Sequence, residues 1–348
     1  MAEFAKKTSE EASGKLTFII NNKFYLGDII CTNAICRNIK LFYPDAKVIF
    51  IVNKNLSYVA GMQKGVDAVI EYDRRGAHKG FFGLLKFCRD FKSKFPHEKI
   101  HGAIVIGGHF QNVLISSLLG AKQIVTTNDK QKKSFFKKFN RWFLAKFYNV
   151  TDHNIAERYV VDAIAEIIEL FTNLPYKKLP IKCEIPEISE SDLVASTFQK
   201  SYGKDDLIAV SPMGKAGSKC LPPELCCEII KLLPKYKIVL TGVGPEADEY
   251  ARRLRELGAD FIDMTNKTTI PELAQILKLC KGIISVDTGT MHLAVALGIP
   301  TFGIFFSVKS EKMWSHKNES HPHFDCVSMM ENFTAETLVK RLSSLLSE

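Results

Sequence analysis

Apolar residues recur along the chain in two alternating rhythms. Short runs rich in Val, Ile and Phe are followed by segments whose apolar positions return every three or four residues. The first rhythm suits a strand buried on both faces, the second a helix with one buried stripe. Runs at residues 16–21, 47–52, 68–72, 103–106 and 123–126 predict five strands in the first half. Runs at 207–211, 237–241, 260–263, 282–286 and 301–305 predict five more. Between them, residues 29–42, 83–95, 223–233, 246–257 and 270–279 predict amphipathic helices. Such alternation argues an α/β fold with parallel sheets, and two series of it argue two Rossmann-like domains.

Pro175, Pro180 and Pro186 fall in residues 172–190, a stretch with few periodic apolar positions. A linker is expected there. The resulting plan is a disordered tail over 1–15, a first domain over 16–175, a linker over 176–190 and a second domain over 191–348. A helix over 154–171 precedes the linker. A last helix over 335–346 has Thr334 as its N-cap and Glu336 in its first turn. The 348 residues suffice for two domains that each bury a core.

Composition removes several classes. With 46% hydrophobic and 24% charged residues the chain is neither disordered nor of low complexity. No run approaches the ~18–20 apolar residues that span a bilayer, and residues 1–15 lack the apolar core of a secretory signal. The nine cysteines are odd in number and include no CxxC pair, which points to reduced thiols in a cytoplasmic protein rather than a disulfide framework or a zinc site.

The net charge of +9 is uneven. Residues 1–150 carry 25 Lys and Arg against 11 Asp and Glu, whereas residues 201–348 carry 17 against 18. The first half therefore faces something anionic: nucleic acid, a membrane surface or a phosphorylated substrate. Within it, Lys130, Lys132, Lys133, Lys137, Lys138, Arg141 and Lys146 interleave with Phe135, Phe139, Trp142 and Phe143, aromatics that share a helical face. That arrangement suits an anionic interface, stacking on single-stranded nucleic acid, or plain packing with wet lysines.

Four strand-to-helix junctions carry chemistry. Gly27 and Asp28 follow the first strand, where open α/β sheets place ligands. Gly27 permits close backbone approach, and Asp28 either caps the next helix or faces the crevice. Gly214, Lys215, Gly217, Ser218 and Lys219 fill the loop after strand 207–211; glycine amides and lysines suit a diphosphate, although no Walker sequence is present and an exposed polar loop reads the same way. Gly242 and Gly244 form a turn before Glu246, whose carboxylate can accept from ribose hydroxyls or simply favour the helix dipole. Asp287, Thr288 and Gly289 end an apolar strand and open a helix bearing His292 on its first turn, with Ala294, Ala296 and Gly298 small enough to lie close to the sheet. No GxGxxG fingerprint is present.

The order of these segments resembles the family 9 glycosyltransferases, the ADP-heptose:lipopolysaccharide heptosyltransferases. The likeness rests on Gly27-Asp28 with Thr32 and Pro44-Asp45-Ala46-Lys47, on residues 108–122 and 242–246, and above all on Asp287-Thr288-Gly289-Thr290-Met291-His292-Leu293-Ala294 running to Gly298-Ile299-Pro300. It covers residues 16–310. It implies a GT-B fold, two Rossmann-like domains facing a central cleft. It implies inverting transfer of a heptose from ADP-heptose to a lipopolysaccharide inner-core or related glycan acceptor, with Asp28 as general base and Lys219 steadying the departing diphosphate. The donor side then comprises Ser218, Lys219, Gly242, Glu246, Thr268, Asp287, Thr288, Gly289 and His292. The acceptor side comprises Gly27, Thr32, Lys130, Lys133, Lys137 and Arg141.

No cofactor and no metal are expected, since no DxD-like carboxylate pair is placed for Mg²⁺ and fixed donors can take its part. The resemblance further implies an enzyme at the cytoplasmic face of the inner membrane, peripheral to an anionic surface, with no nucleic-acid partner. Three departures bear on sugar and acceptor more than on fold: Cys220 and Leu221 follow Lys219, Gln111 replaces a usual basic residue, and Phe24 and Tyr25 precede Leu26 where small or polar residues are usual. The same fold with another nucleotide sugar, an epimerase, or a non-catalytic binder of anionic glycolipid or nucleic acid are the alternative readings.

Overall fold

The computed structural model describes residues 16–128, 149–185, 187–189, 191–214, 219–331 and 333–347. They form two compact units. The first contains the chain up to Phe24 and Thr32–Leu179; the second contains Tyr25–Cys31 and the chain from Pro180 onward.

The first unit is built on strands β1 (Thr17–Asn21), β2 (Lys47–Asn53), β3 (Ala68–Tyr72), β4 (Ile100–Val105), β5 (Gln123–Asn128) and β6 (Val150–Asn154). All are parallel, in the order β3-β2-β1-β4-β5-β6. A parallel sheet is covered on both faces, so its central strands read as unbroken apolar runs. Accordingly Phe18, Ile19 and Ile20 of β1 and Val48, Ile49, Phe50, Ile51 and Val52 of β2 are fully buried. On one face Ile19, Ile49 and Ile51 pack with Leu84, Phe87 and Phe91 of the Gly80–Lys94 helix and with Val113 and Ile115 of the Phe110–Leu118 helix.

The second unit repeats this plan. Its strands are β7 (Leu207–Ser211), β8 (Lys237–Leu240), β9 (Ile262–Asp263), β10 (Gly282–Val286), β11 (Thr301–Phe305) and β12 (Phe324–Ser328), in the order β12-β11-β10-β7-β8-β9. Numbered within its own unit, each sheet runs 3-2-1-4-5-6. The order reverses between β1 and β4 in one unit and between β7 and β10 in the other. At such a switch point the flanking loops diverge and leave a crevice at the carboxyl ends of the strands. The Ile270–Leu279 helix starts on a full capping box between Thr269 and Glu272, and Pro271 and Pro245 sit in first turns, where a missing N–H is harmless.

Several expectations shift. Each sheet has a sixth strand, β6 and β12, where five were expected. Both are edge strands; β6 reads Val150-Thr151-Asp152-His153-Asn154, half exposed and mostly polar, so it carries no apolar run. The single helix expected over 154–171 is instead the end of β6, then Val160–Ala165 and Glu169–Thr172 joined by a 3₁₀ turn at Glu166–Ile168. The helix expected over 29–42 is two, Leu26–Cys31 and Asn33–Phe42, in different units. At the break the buried Thr32 hydroxyl accepts from Asn22 Nδ2 at 2.8 Å. The nine cysteines are free thiols, eight buried and Cys220 half-buried. No helix among the described residues is long and apolar enough to cross a membrane. The tail over 1–15 and the basic stretch over 130–148, with Lys130, Lys133, Lys137 and Arg141, lie outside the described residues, as does Ser218.

Candidate functional site

The second unit gathers charged side chains at its switch point. The loops after β7 and β10 flank the crevice. Gly214 N–H donates to the Lys219 carbonyl at 2.6 Å, and Leu221 N–H donates to the Pro212 carbonyl at 2.8 Å, so the two ends of the first loop are joined. A Cβ at Gly214 would stand 2.9 Å from Lys219 Cβ and 3.6 Å from Thr288 Cγ2. Glycine is therefore what lets this loop lie against the next one.

Asp287, just past β10, is buried. Its Oδ2 accepts from Lys219 Nζ at 2.5 Å and from the Ser310 hydroxyl, and Lys219 Nζ also reaches Ser310 Oγ at 3.5 Å. Thr288 is extended (φ −139°, ψ 171°) and its side chain makes no cap on the Gly289–Ala296 helix. The first N–H groups of that helix thus keep their hydrogen-bonding capacity at its positive end.

The Gly289–Ala296 helix crosses the Leu26–Cys31 helix at close range. A Cβ on Gly289 would meet Leu26 side-chain atoms at 2.7–2.8 Å, and one on Gly27 would meet His292 Cδ2 at 2.6 Å. These two glycines explain why Tyr25–Cys31 belongs to the second unit. The crossing places Gly27, Asp28 and Cys31 beside His292 and Asp287. Asp28 is half-buried, and that burial raises its carboxyl above the usual range, opposed in part by the Tyr25 N–H that donates to Oδ2 at 3.4 Å.

His292 is buried. Its Nδ1 lies 2.7 Å from His316 Nε2 and 3.7 Å from Cys31 Sγ, and its Nε2 lies 3.9 Å from Asp287 Oδ1. A carboxylate facing Nε2 favours the proton there, so His316 Nε2–H donates to His292 Nδ1. The three ligand-type atoms of Cys31, His292 and His316 fall within 4.8 Å of one another. The His–His separation is nevertheless that of a hydrogen bond; two imidazoles sharing a tetrahedral zinc stand about 3.3 Å apart. The cluster is a hydrogen-bonded network. Burial, with the charges of Asp28 and Asp287, pushes the Cys31 thiol well up, so it stays protonated.

Burial lowers the His292 pKa to about 4, with Lys219 lowering it further against Asp287, and lowers His316 well below its usual value. Both rings are neutral at pH 7. Unfolded histidines bind protons near pH 6.5, so the unfolded chain takes up more protons than the native one below that value. Stability is fully present above pH 6.5 and is lost as the pH falls towards 4. Thermal melts at pH 7 and pH 5 should show a clearly lower midpoint at pH 5, and His316→Asn should shrink the difference.

The loop after β8 forms a second part of the crevice. Gly244 has φ 118°, which favours glycine, and Asn266 clamps it: Gly244 N–H donates to Asn266 Oδ1 at 2.9 Å and Asn266 Nδ2 donates to the Gly244 carbonyl at 3.1 Å. A Cβ at Gly242 would come within 2.8 Å of Met213 Cε. Beside these glycines lies a cavity of about 300 Å³ lined by Met213, Gly214, Cys220, Val243, Glu246 and Tyr250. Glu246 is exposed on the first turn of the Pro245–Glu256 helix. Thr268 precedes the capping box at Thr269.

Of the residues expected from sequence, Lys219, Asp287, Thr288, Gly289 and His292 meet at one place, with Gly27 and Asp28 beside them. Gly242 and Glu246 border the neighbouring cavity. Thr32 belongs to the first unit. Sequence reasoning missed Ser310, Cys31, His316 and Asn266. Only Asn266 carried a signal, as an Asn after a strand that adopts φ 55°.

The model of glycosyltransferase family 9 (heptosyltransferase) matches residues 108–332. Lipopolysaccharide heptosyltransferase 1 of Campylobacter coli is 24% identical over 293 residues, 82% of this chain and 82% of that protein. A glycosyl transferase family 9 structure from Veillonella parvula superimposes with TM-score 0.79 at 17% identity, covering 95% of this chain and 97% of that one. Escherichia coli heptosyltransferase WaaC, solved with ADP, gives TM-score 0.70 at 18% identity over 94% of this chain and 99% of that one. At these identities the structural likeness shows the fold, two Rossmann-like units of the GT-B class.

Proposed function

Because the chain belongs to glycosyltransferase family 9, the heptosyltransferase family, we propose that it moves a heptose from ADP-heptose, with inversion, onto an inner-core or related glycan acceptor of lipopolysaccharide at the cytoplasmic face of the inner membrane. The observation that carries this reading is the Lys219–Asp287–Ser310 cluster at the start of the Gly289–Ala296 helix, with Asp28 beside it.

Asp287 and Ser310 hold the Lys219 ammonium at the crevice. The donor diphosphate lies against that cation and the N–H groups at Thr288 and Gly289, which supply countercharge where negative charge grows as the anomeric C–O bond breaks. The 300 Å³ cavity beside Gly242 takes the nucleoside, with Glu246 at its rim accepting from ribose hydroxyls. Asp28 takes the proton of the acceptor hydroxyl as that oxygen bonds to the anomeric carbon from the opposite face, and ADP departs. A carboxyl raised by burial is a stronger base than an exposed one. Lipopolysaccharide heptosyltransferase 1 of Campylobacter coli supports the acceptor class.

A thermal-shift screen across ADP-, GDP- and UDP-sugars tests the donor, because a ligand that binds only the native state raises the midpoint with its occupancy. ADP-heptose should stabilise most, and product analysis should find heptose linked to the acceptor. Stabilisation by a UDP- or GDP-sugar alone, or conversion of the sugar without an acceptor, would overturn the proposal.

A further inference from the structure

The first unit displays an apolar patch that its fold does not use. The Gly80–Lys94 helix buries Leu84, Phe87, Cys88 and Phe91 against the sheet. At its start, Phe81 is 62% and Phe82 84% exposed, with Leu85 at 39% completing the outward face one turn on. A helix needs one apolar stripe to dock, and this one carries a second, directed at solvent.

The turn before the helix is fixed. Asp73 accepts from Gly76 N–H at 2.9 Å and Ala77 N–H at 3.2 Å, and Asp73 N–H donates to His78 Nδ1 at 2.9 Å. The Tyr72 hydroxyl donates to the His78 carbonyl at 3.1 Å. Gly83 lies so close to this turn that a Cβ there would come within 2.4 Å of the His78 carbonyl carbon. The start of the helix is therefore fixed, and the exposed Phe81 and Phe82 rings meet edge to face with centroids 5.9 Å apart.

Charge selects the occupant. Residues 74–94 contain seven Lys and Arg against one acid, Asp90. Arg74, Arg75, Lys79, Lys86 and Arg89, on this helix and the turn before it, are all exposed, Lys86 and Arg89 sharing Asp90. Exposed aromatic side chains among guanidinium and ammonium groups of the same segment suit the boundary between anionic headgroups and acyl chains. The patch also follows β3, so it lies at the carboxyl edge of a wholly parallel sheet, the edge at which such sheets present ligands. Phe110, 43% exposed after β4, lies at the same edge.

We propose that Phe81, Phe82 and Leu85, with the exposed Arg74, Arg75, Lys79 and Lys86 of the same helix and preceding turn, dock the first unit on an anionic lipid bilayer. This deepens the functional reading by bringing the first unit's ligand-binding edge to the surface that holds a lipid-anchored acceptor, and it assigns that contact to residues 74–89 rather than to the basic stretch at 130–148.

Sedimentation of the full chain with acceptor-free phosphatidylglycerol vesicles, with phosphatidylcholine vesicles as control, tests it independently of any transfer activity. The protein should partition to the anionic vesicles, more weakly as salt rises. The double variant Phe81→Ser/Phe82→Ser should lose at least about tenfold of that partition. It should keep its melting temperature and its rate on a water-soluble acceptor. Phe82→Trp should show blue-shifted fluorescence on anionic vesicles alone. Unchanged partition of the double variant, no partition of the parent, or a parent dimer that the double variant makes monomeric would each overturn the proposal, the last by showing that a second copy covers the patch. Failure to use ADP-heptose would leave the vesicle result standing.

Discussion

Asp28→Asn is expected to lower transfer by about 10²–10⁴-fold, the usual contribution of a positioned general base. The substitution keeps the shape of the side chain and removes only its ability to take a proton. The loss should fall on kcat, with donor affinity and melting temperature near those of the parent. The pH profile gives a second readout. Burial raises the Asp28 carboxyl, so activity should fall on the acid side through a pKa above the ordinary carboxylate value. Below that pKa the base is protonated and cannot act; above it the rate levels off. An Asp28→Asn enzyme that transfers at the parent rate, folded and with donor bound, removes Asp28 from the reaction.

Whether Asp28 reaches this place at all depends on residues that a sequence shows only in part. Gly27 was legible as a point of close approach, but the ring it admits, His292, lies 265 positions along the chain. The buried strands β1, β2, β10 and β11 were plain, since burial on both faces leaves no alternation to misread. The edge strands β6 and β12 were not: β6 is half exposed and mostly polar, so its pattern resembles loop, and β12, though buried, is a short run broken by Asp325 and Cys326. The break at Thr32 was hidden because both halves of 29–42 are helical; only the crossing with the Gly289–Ala296 helix draws Leu26–Cys31 into the other unit. Ser310 and His316 carry no local sign of their roles, since a hydroxyl on Asp287 and an imidazole on His292 follow from tertiary packing alone.

Lys219→Met should lower kcat/KM by about 10²–10³-fold, as removal of one fixed donor to a developing anion does elsewhere. Met keeps the length of the stem and loses the cation. Without donor, Lys219 Nζ is held 2.5 Å from Asp287 Oδ2. A fully buried pair broken on one side costs about 3–5 kcal/mol. Here the Lys219 side chain is 37% exposed and Asp287 retains the Ser310 hydroxyl, so solvent screening should reduce the loss to about 1 kcal/mol. The two effects separate the roles. A purely structural lysine predicts a drop in activity no larger than the drop in folded protein, and donor affinity unchanged. A diphosphate-binding lysine predicts weak donor binding in a chain that is almost fully folded at 25 °C. His292 reports independently on the site, because the Lys219 charge lowers its pKa while Asp287 raises it. In Lys219→Met the His292 pKa should rise from about 4, a shift visible in its ring resonances, while the ring stays neutral at pH 7. If that resonance does not move, Lys219 is not held beside Asp287 in solution, and the cation that steadies the departing diphosphate must come from elsewhere.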